Sequence, residues 1–199
     1  MLKQIFPGLR ITLFMTVLLG IAYPLLVTGI CQMLFPDKAN GSLITAGDRI
    51  VGSRLIGQRF TRSEYFHSRP SAAGKDGYDA SASGGSNYGP TNKLLYERVA
   101  ASIAKFRKEN PEHHGPLPAD LVTASSSGLD PNISPASALA QAPRVSKARG
   151  MPLDQVVLLI QQFTEGPDLG ILGESRVNVL ELNIALDLHE INGKDGNRH

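Results

Sequence analysis

ITLFMTVLLGIAYPLLVTGICQMLF, residues 11–35, runs for 25 positions without a Lys, Arg, Asp or Glu. As a helix it spans about 37 Å at about 1.5 Å per residue. A bilayer core needs about 20 apolar residues, so the run crosses with some tilt. A cleaved signal peptide has an apolar core of about 7–15 residues followed by a small-residue site. Here the core is longer, and it exits through Phe35, Pro36, Asp37 and Lys38. The reading is therefore an anchor rather than a leader. Pro24 interrupts the run and is expected to bend it. Gly20 and Gly29 permit close approach of a second helix. Lys3 and Arg10 precede the run with no acid beside them, whereas Asp37 and Lys38 cancel after it. The positive-inside rule then places residues 1–10 in the cytoplasm, 11–35 in the membrane and 36–199 outside.

Outward from the anchor the composition changes. All 18 acidic residues and 18 of the 20 basic ones lie after Phe35, so that part is formally neutral. A neutral domain lacks the basic face that nucleic acid requires. The one cysteine, Cys31, lies in the apolar run, which excludes an intrachain disulfide and a multi-cysteine zinc site.

The polar part reads as mixed α+β. Residues 36–62 look extended, with a strand or hairpin in DRIVGSRLIGQRF. Residues 63–92 form a long Gly/Ser/Asn/Pro loop whose interleaved aromatics imply packing. TNKLLYERVAASIAKFRKEN is a helix capped by Thr91 or Asn92, with Leu95, Val99, Ser102/Ile103 and Phe106 on one stripe. Residues 119–124 read as a short strand. Ser134 and Pro135 open a short helix through Ala140, with Pro143 closing it. Residues 152–163 are a further helix with proline at its start, 169–173 a brief strand or loop, and about 178–190 a well-buried helix, with Val177, Leu180, Ile184 and Leu188 at helical spacing and Val179, Leu182 and Leu186 beside them. The tail GKDGNRH is expected to fray.

A search for chemistry finds no complete motif. There is no P-loop and no G-x-G-x-x-G after a strand. SASGGSN and SSSGLDP could offer backbone N–H nests to an anion, but such turns are commonly only turns. Ser102 and Lys105 match S-x-x-K without the S-D-N and K-T-G partners of penicillin-recognising acyl enzymes. His113 and His114 are adjacent in a loop and do not converge as i, i+4 ligands do. No carboxylate–histidine set stands at metal spacing.

Five stretches carry a resemblance: SRPSA (68–72), SGGSNYGPTN (83–92), DLVTASSSGLDPNISPASA (120–138), PRVSKARG (143–150) and LGESRVNVLELNIALD (172–187). With the proline-bearing anchor they resemble, in order and over nearly the whole chain, the C subunit of the bacterial Kdp potassium-transporting ATPase. SSSGLDP and SGGSNYG depart from the family pattern at single Ser and Tyr positions. The resemblance implies a non-catalytic accessory subunit of an ATP-driven, high-affinity potassium uptake complex in the cytoplasmic (inner) membrane. Its partners would be a channel-like potassium-binding subunit, a P-type ATPase subunit, a small accessory membrane subunit and the lipid bilayer, with no nucleic acid. The family is described as a catalytic chaperone that raises the ATP affinity of the ATPase subunit. A domain outside the membrane cannot touch cytoplasmic ATP, so no cofactor is assigned to this chain and ATP enters only through the complex. Neither catalytic nor metal residues are assigned. The assembly loops expected from the resemblance hold Ser68, Arg69, Pro70, Ser83, Gly84, Gly85, Ser86, Asn87, Gly89, Pro90, Asn92, Gly128, Asp130 and Pro131. Three alternatives stand beside this: a tethered binding or sensory module without an ATPase, a tethered acyl enzyme at Ser102, and loops that only hold the domain's own fold.

Overall fold

In a computed structural model, which describes residues 2–46 and 48–195, the apolar run is helical and begins ahead of Ile11. Helix α1 covers Leu2–Val17 and α2 covers Tyr23–Leu34, joined by one π-helical turn at Leu18–Ala22. The reason lies in Pro24, which has no N–H to return to the preceding turn. The chain widens there, and the Tyr23 N–H reaches back to the Leu18 carbonyl. Gln4–Leu34 is long and apolar enough to cross a membrane, and its side chains are not buried by protein.

The stretch after Phe35 starts as a helical turn, α3 (Pro36–Ala39), rather than extended chain. Proline at the first helical position favours that start, and Ser42 N–H closes the turn onto the Asp37 carbonyl at 2.8 Å. The expected hairpin follows as β1 (Leu43–Ala46) and β2 (Arg49–Ser53). The chain divides into two units, residues 1–51 and 52–199.

In the second unit, residues 54–92 form neither helix nor strand. Helix α4 (Lys93–Glu109) begins at Asn92, whose side chain accepts the Leu94 N–H at 2.9 Å. Its inner stripe is Val99, Ile103 and Phe106, packed with Leu117, Leu121, Val122 and Ala140. The larger core lies among α5 (Pro135–Arg149), α6 (Leu153–Gln162), α7 (Val179–Asp195) and an antiparallel sheet of order β3-β5-β4. The strands are β3 (Asn132–Ile133), β4 (Thr164–Glu165) and β5 (Arg176–Asn178), with Ile133 opposite Val177 and Thr164 opposite Val177 across the sheet. Phe66, from the long loop, is fully buried in this core.

Three further expectations are corrected. Residues 119–124 are not a strand: Ala119–Leu121 is a 3₁₀ turn. Asp120 is needed there as an acceptor, taking the Ser134 N–H at 2.7 Å and the Ser137 hydroxyl at 2.6 Å, which secures the start of α5. Ser134 is the cap foreseen, but Pro143 does not end the helix. The carbonyl that Pro143 cannot bond belongs to Leu139, on the exposed side, while Ala138, Gln141, Ala142 and Val145 continue the buried stripe. The stop comes at Gly150, at φ +65°, a left-handed cap that costs glycine little. In α7 Val179, Leu180, Leu182 and Leu186 are buried as expected and Asn183 joins them, but Val177 belongs to β5, Ile184 is half-buried and Leu188 is exposed. The Asn183 amide sets that rotation, because its backbone partners lie in the core. The part of the tail at 196–199, expected to fray, lies outside the described residues.

Candidate functional site

Three of the five sequence stretches meet on one side of the second unit. The Ser71 hydroxyl donates to the Gly128 carbonyl at 2.6 Å and accepts the N–H groups of Ala73 and Tyr78 at 3.2 and 2.8 Å. Gly84 N–H and the Ser83 hydroxyl both donate to the Ser127 carbonyl, at 2.9 and 3.0 Å. Arg69 Nη1 pairs with Asp130 Oδ2 at 2.9 Å. Asp130 Oδ1 accepts Asn132 N–H at 3.0 Å, and the Pro131 carbonyl accepts Val179 N–H at 3.0 Å, tying the loop to β3 and α7. Ser68 donates to the Gln58 carbonyl at 3.1 Å.

Glycine is required at the centre of this junction. Gly128 has φ +69°, and a Cβ there would lie 2.7 Å from Ala73 and 2.8 Å from the Gly84 carbonyl. Gly85 rests against the Ser126 backbone, where a Cβ would come within 3.0 Å of the carbonyl. The remaining residues of that stretch diverge. Asn87, Gly89 and Pro90 are exposed and Ser86 half-buried, with Asn87 in the left-handed region at φ +51°. Gly89 then accepts Asn92 N–H at 3.0 Å as the chain turns into α4.

A second set of residues fastens the long loop at Ser63–His67, and sequence reading did not single these out. Asn183 accepts Phe66 N–H at 2.8 Å and donates to the Phe66 carbonyl at 3.0 Å. Gln141 does the same for His67, at 2.8 and 3.1 Å. Two side-chain amides thus replace the strand that this extended backbone lacks, as buried N–H and C=O groups demand. Arg144 donates to the carbonyls of Ser63 and Tyr65, to Asn110 and to Gln141. Arg149 bonds the Glu64 carbonyl at 2.7 Å and Asp187 at 2.7 Å, and lies over the Tyr65 ring. Arg144, Arg149, Asn183 and Asp187 all belong to the stretches PRVSKARG and LGESRVNVLELNIALD. That membership is the signal that could have marked them.

Between residues 58–78 and α4 lies a cavity of about 270 Å³. Its charged lining is Arg59, Arg69 and Lys105 against Asp76 and Glu109, with His67 at its wall. The His67 ring faces Glu109 at 3.5 Å, but burial, reinforced by Arg144, holds its pKa below the ordinary value. Burial pushes the Tyr78 phenol up to about 12, and its hydroxyl donates to the Arg69 carbonyl. Ser102 lines the same cavity, yet no hydrogen bond joins it to Lys105, which instead approaches Glu109 at 3.9 Å. Among the described residues, no three His, Cys, Asp or Glu side chains are grouped to hold a metal.

An apolar N-terminal helix long enough to cross a membrane, followed by a small α+β domain whose conspicuous loops are built around fixed hydrogen bonds, fits the class of membrane-anchored domains. The family model described as K+-transporting ATPase, c chain, matches residues 5–188. The potassium-transporting ATPase KdpC subunit of Nitratidesulfovibrio vulgaris (strain DSM 19637 / Miyazaki F) is 55% identical over 187 residues, covering 94% of this chain and 95% of the relative. That of Rhodospirillum rubrum is 56% identical over 187 residues, covering 94% and 96%. That of Caulobacter vibrioides is 56% identical over 188 residues, covering 94% of each. The chain belongs to the KdpC family, subunits of the potassium-transporting ATPase complex.

Proposed function

We propose that this chain is a non-catalytic accessory subunit that assembles with the channel-like and ATPase subunits of the potassium uptake complex and a small membrane subunit. Its N-terminus lies in the cytoplasm, the helix spans the cytoplasmic membrane, and the domain sits outside over the entrance of the channel-like subunit. An influence on ATP affinity then reaches the nucleotide as a coupling free energy through the membrane helices, not by contact. One observation carries this reading. The loops named by the resemblance form a fixed junction, Ser71–Gly128, Gly84–Ser127 and Arg69–Asp130, that holds out the exposed segment Asn87–Pro90. A fixed scaffold displaying a loop is how proteins commonly present a binding surface.

The test separates display from folding. Exchanging Asn87–Pro90 for a Gly/Ser segment of equal length leaves the junction hydrogen bonds in place. We expect the variant chain to keep its melting temperature while the complex loses subunits or potassium affinity. Wild-type uptake with an intact complex would leave these loops a purely structural role.

A further inference from the structure

The segment Pro167–Gly173, between β4 and β5, is built against the usual pattern of a surface turn. Leu169 is 89% exposed, Ile171 82% and Leu172 56%. Turns on a solvated surface favour Gly, Asn, Asp and Ser. Here apolar side chains are held in water by a closed frame. Asp168 and Leu172 exchange both backbone hydrogen bonds, at 2.8 and 2.9 Å, and Gly170 N–H bonds the Pro167 carbonyl at 3.0 Å. Arg176 fixes the base through Asp168 at 3.3 Å and Glu165 at 3.1 Å. Leu169 itself sits in the left-handed region, at φ +54°, where asparagine or glycine would sit without strain. The chain thus places a strained leucine and an isoleucine on a pre-ordered tip.

We propose that this tip docks into an apolar crevice with a basic rim on a larger subunit of the same transport complex. The charge around it selects a protein over a lipid surface. Residues 165–176 hold Glu165, Asp168 and Glu174 against Arg176, a net charge of −2. Anionic headgroups repel such a tip, whereas membrane-surface binding segments are rich in Lys and Arg. A protein crevice lined with apolar groups and edged by Lys or Arg matches both features. The ordered frame lowers the entropy lost on docking. Exposed apolar residues gathered on a soluble surface mark interaction sites. The proposal rests on membership of the complex and does not depend on where over the channel-like subunit the domain sits.

The test uses the full chain in its native membranes. Ile171 is replaced by a photo-crosslinking benzoylphenylalanine, and the adduct is identified by mass spectrometry. The expected adduct joins this chain to one of the two large subunits. In parallel, the Leu169→Asn, Ile171→Asn double variant should be retained at least about tenfold less well in detergent-washed complex, in line with the loss of two anchor side chains. Its melting temperature should equal that of the wild type or exceed it, because asparagine accepts the left-handed backbone. Glu174→Lys should weaken retention in the same direction. An adduct with lipid alone or with a second copy of the chain, no adduct, or wild-type retention of the double variant overturns the docking assignment while leaving the subunit reading intact. A wild-type chain that purifies alone overturns both.

Discussion

The turn at Ser125–Pro131 and the turn at Pro167–Gly173 are both short and both use glycine at positive φ, yet their side chains point opposite ways. The first is made of serines, an aspartate and a proline, and it is absorbed into the fold: Ser125 bonds Gly128 N–H at 2.8 Å, and Ser127 and Asp130 hold neighbouring backbone. The second is made largely of leucine and isoleucine, and it is displayed to water. Polarity alone therefore misassigns both. What decides is where the backbone hydrogen bonds go. The polar turn satisfies groups of four other segments, at Gly57, Arg69–Ser71, Ser83–Gly84 and Val179, while the backbone of the apolar turn bonds within the turn and leaves its apolar side chains free for another surface.

The largest effect is expected where the polar turn is most enclosed. Gly128→Ala forces a Cβ to within 2.7 Å of Ala73 at positive φ. It should cost about 3 kcal/mol or more, read as a fall in melting temperature, whereas Leu169→Asn at the displayed turn should stay within about 0.5 kcal/mol. Equal costs at both would erase the contrast.

Next in size is Asn183→Ala, which strips both partners from the buried Phe66 backbone. A loss of about 2–4 kcal/mol is expected in denaturant unfolding. A loss below about 1 kcal/mol would mean that water replaces the amide and that the long loop is not clamped there.

The smallest effect concerns pH. The folded-state pKa of His67 lies below its unfolded value near 6.5. The folded state therefore binds fewer protons, so stability is intact above about pH 6.5 and declines as pH falls below it. His67→Gln should flatten that part of the stability profile. An unchanged slope would place the acid sensitivity elsewhere.

Much of the architecture was legible along the chain because its signals are local. The charge-free run at 11–35, the Asn92 cap, the Ser134-Pro135 helix start and the proline that opens the helix at 152–163 each depend on neighbours within a turn or two. The strand assigned to 119–124 failed because Asp120 is committed to Ser134 and Ser137, a tertiary demand that outweighs the extended preference of Leu-Val-Thr. The helix end assigned to Pro143 failed because a buried stripe and a better cap lay beyond it. The clamps were hidden for the same reason. Asn183 and Gln141 read as ordinary helix residues, and their partners lie 117 and 74 positions away. Of the loop residues foreseen, Arg69, Ser83, Gly84, Gly128, Asp130 and Pro131 gather at one junction, whereas Asn87, Gly89 and Pro90 project from it.

The central claim is that this chain works only as part of an assembly. Its most direct test is affinity purification of a tagged copy from gently solubilised membranes of potassium-starved cells, followed by mass spectrometry and a potassium-stimulated ATPase assay. The account predicts that two large membrane subunits and that activity purify with the chain. A chain that emerges alone, with no ATPase activity following it, would contradict the account and favour a tethered binding module.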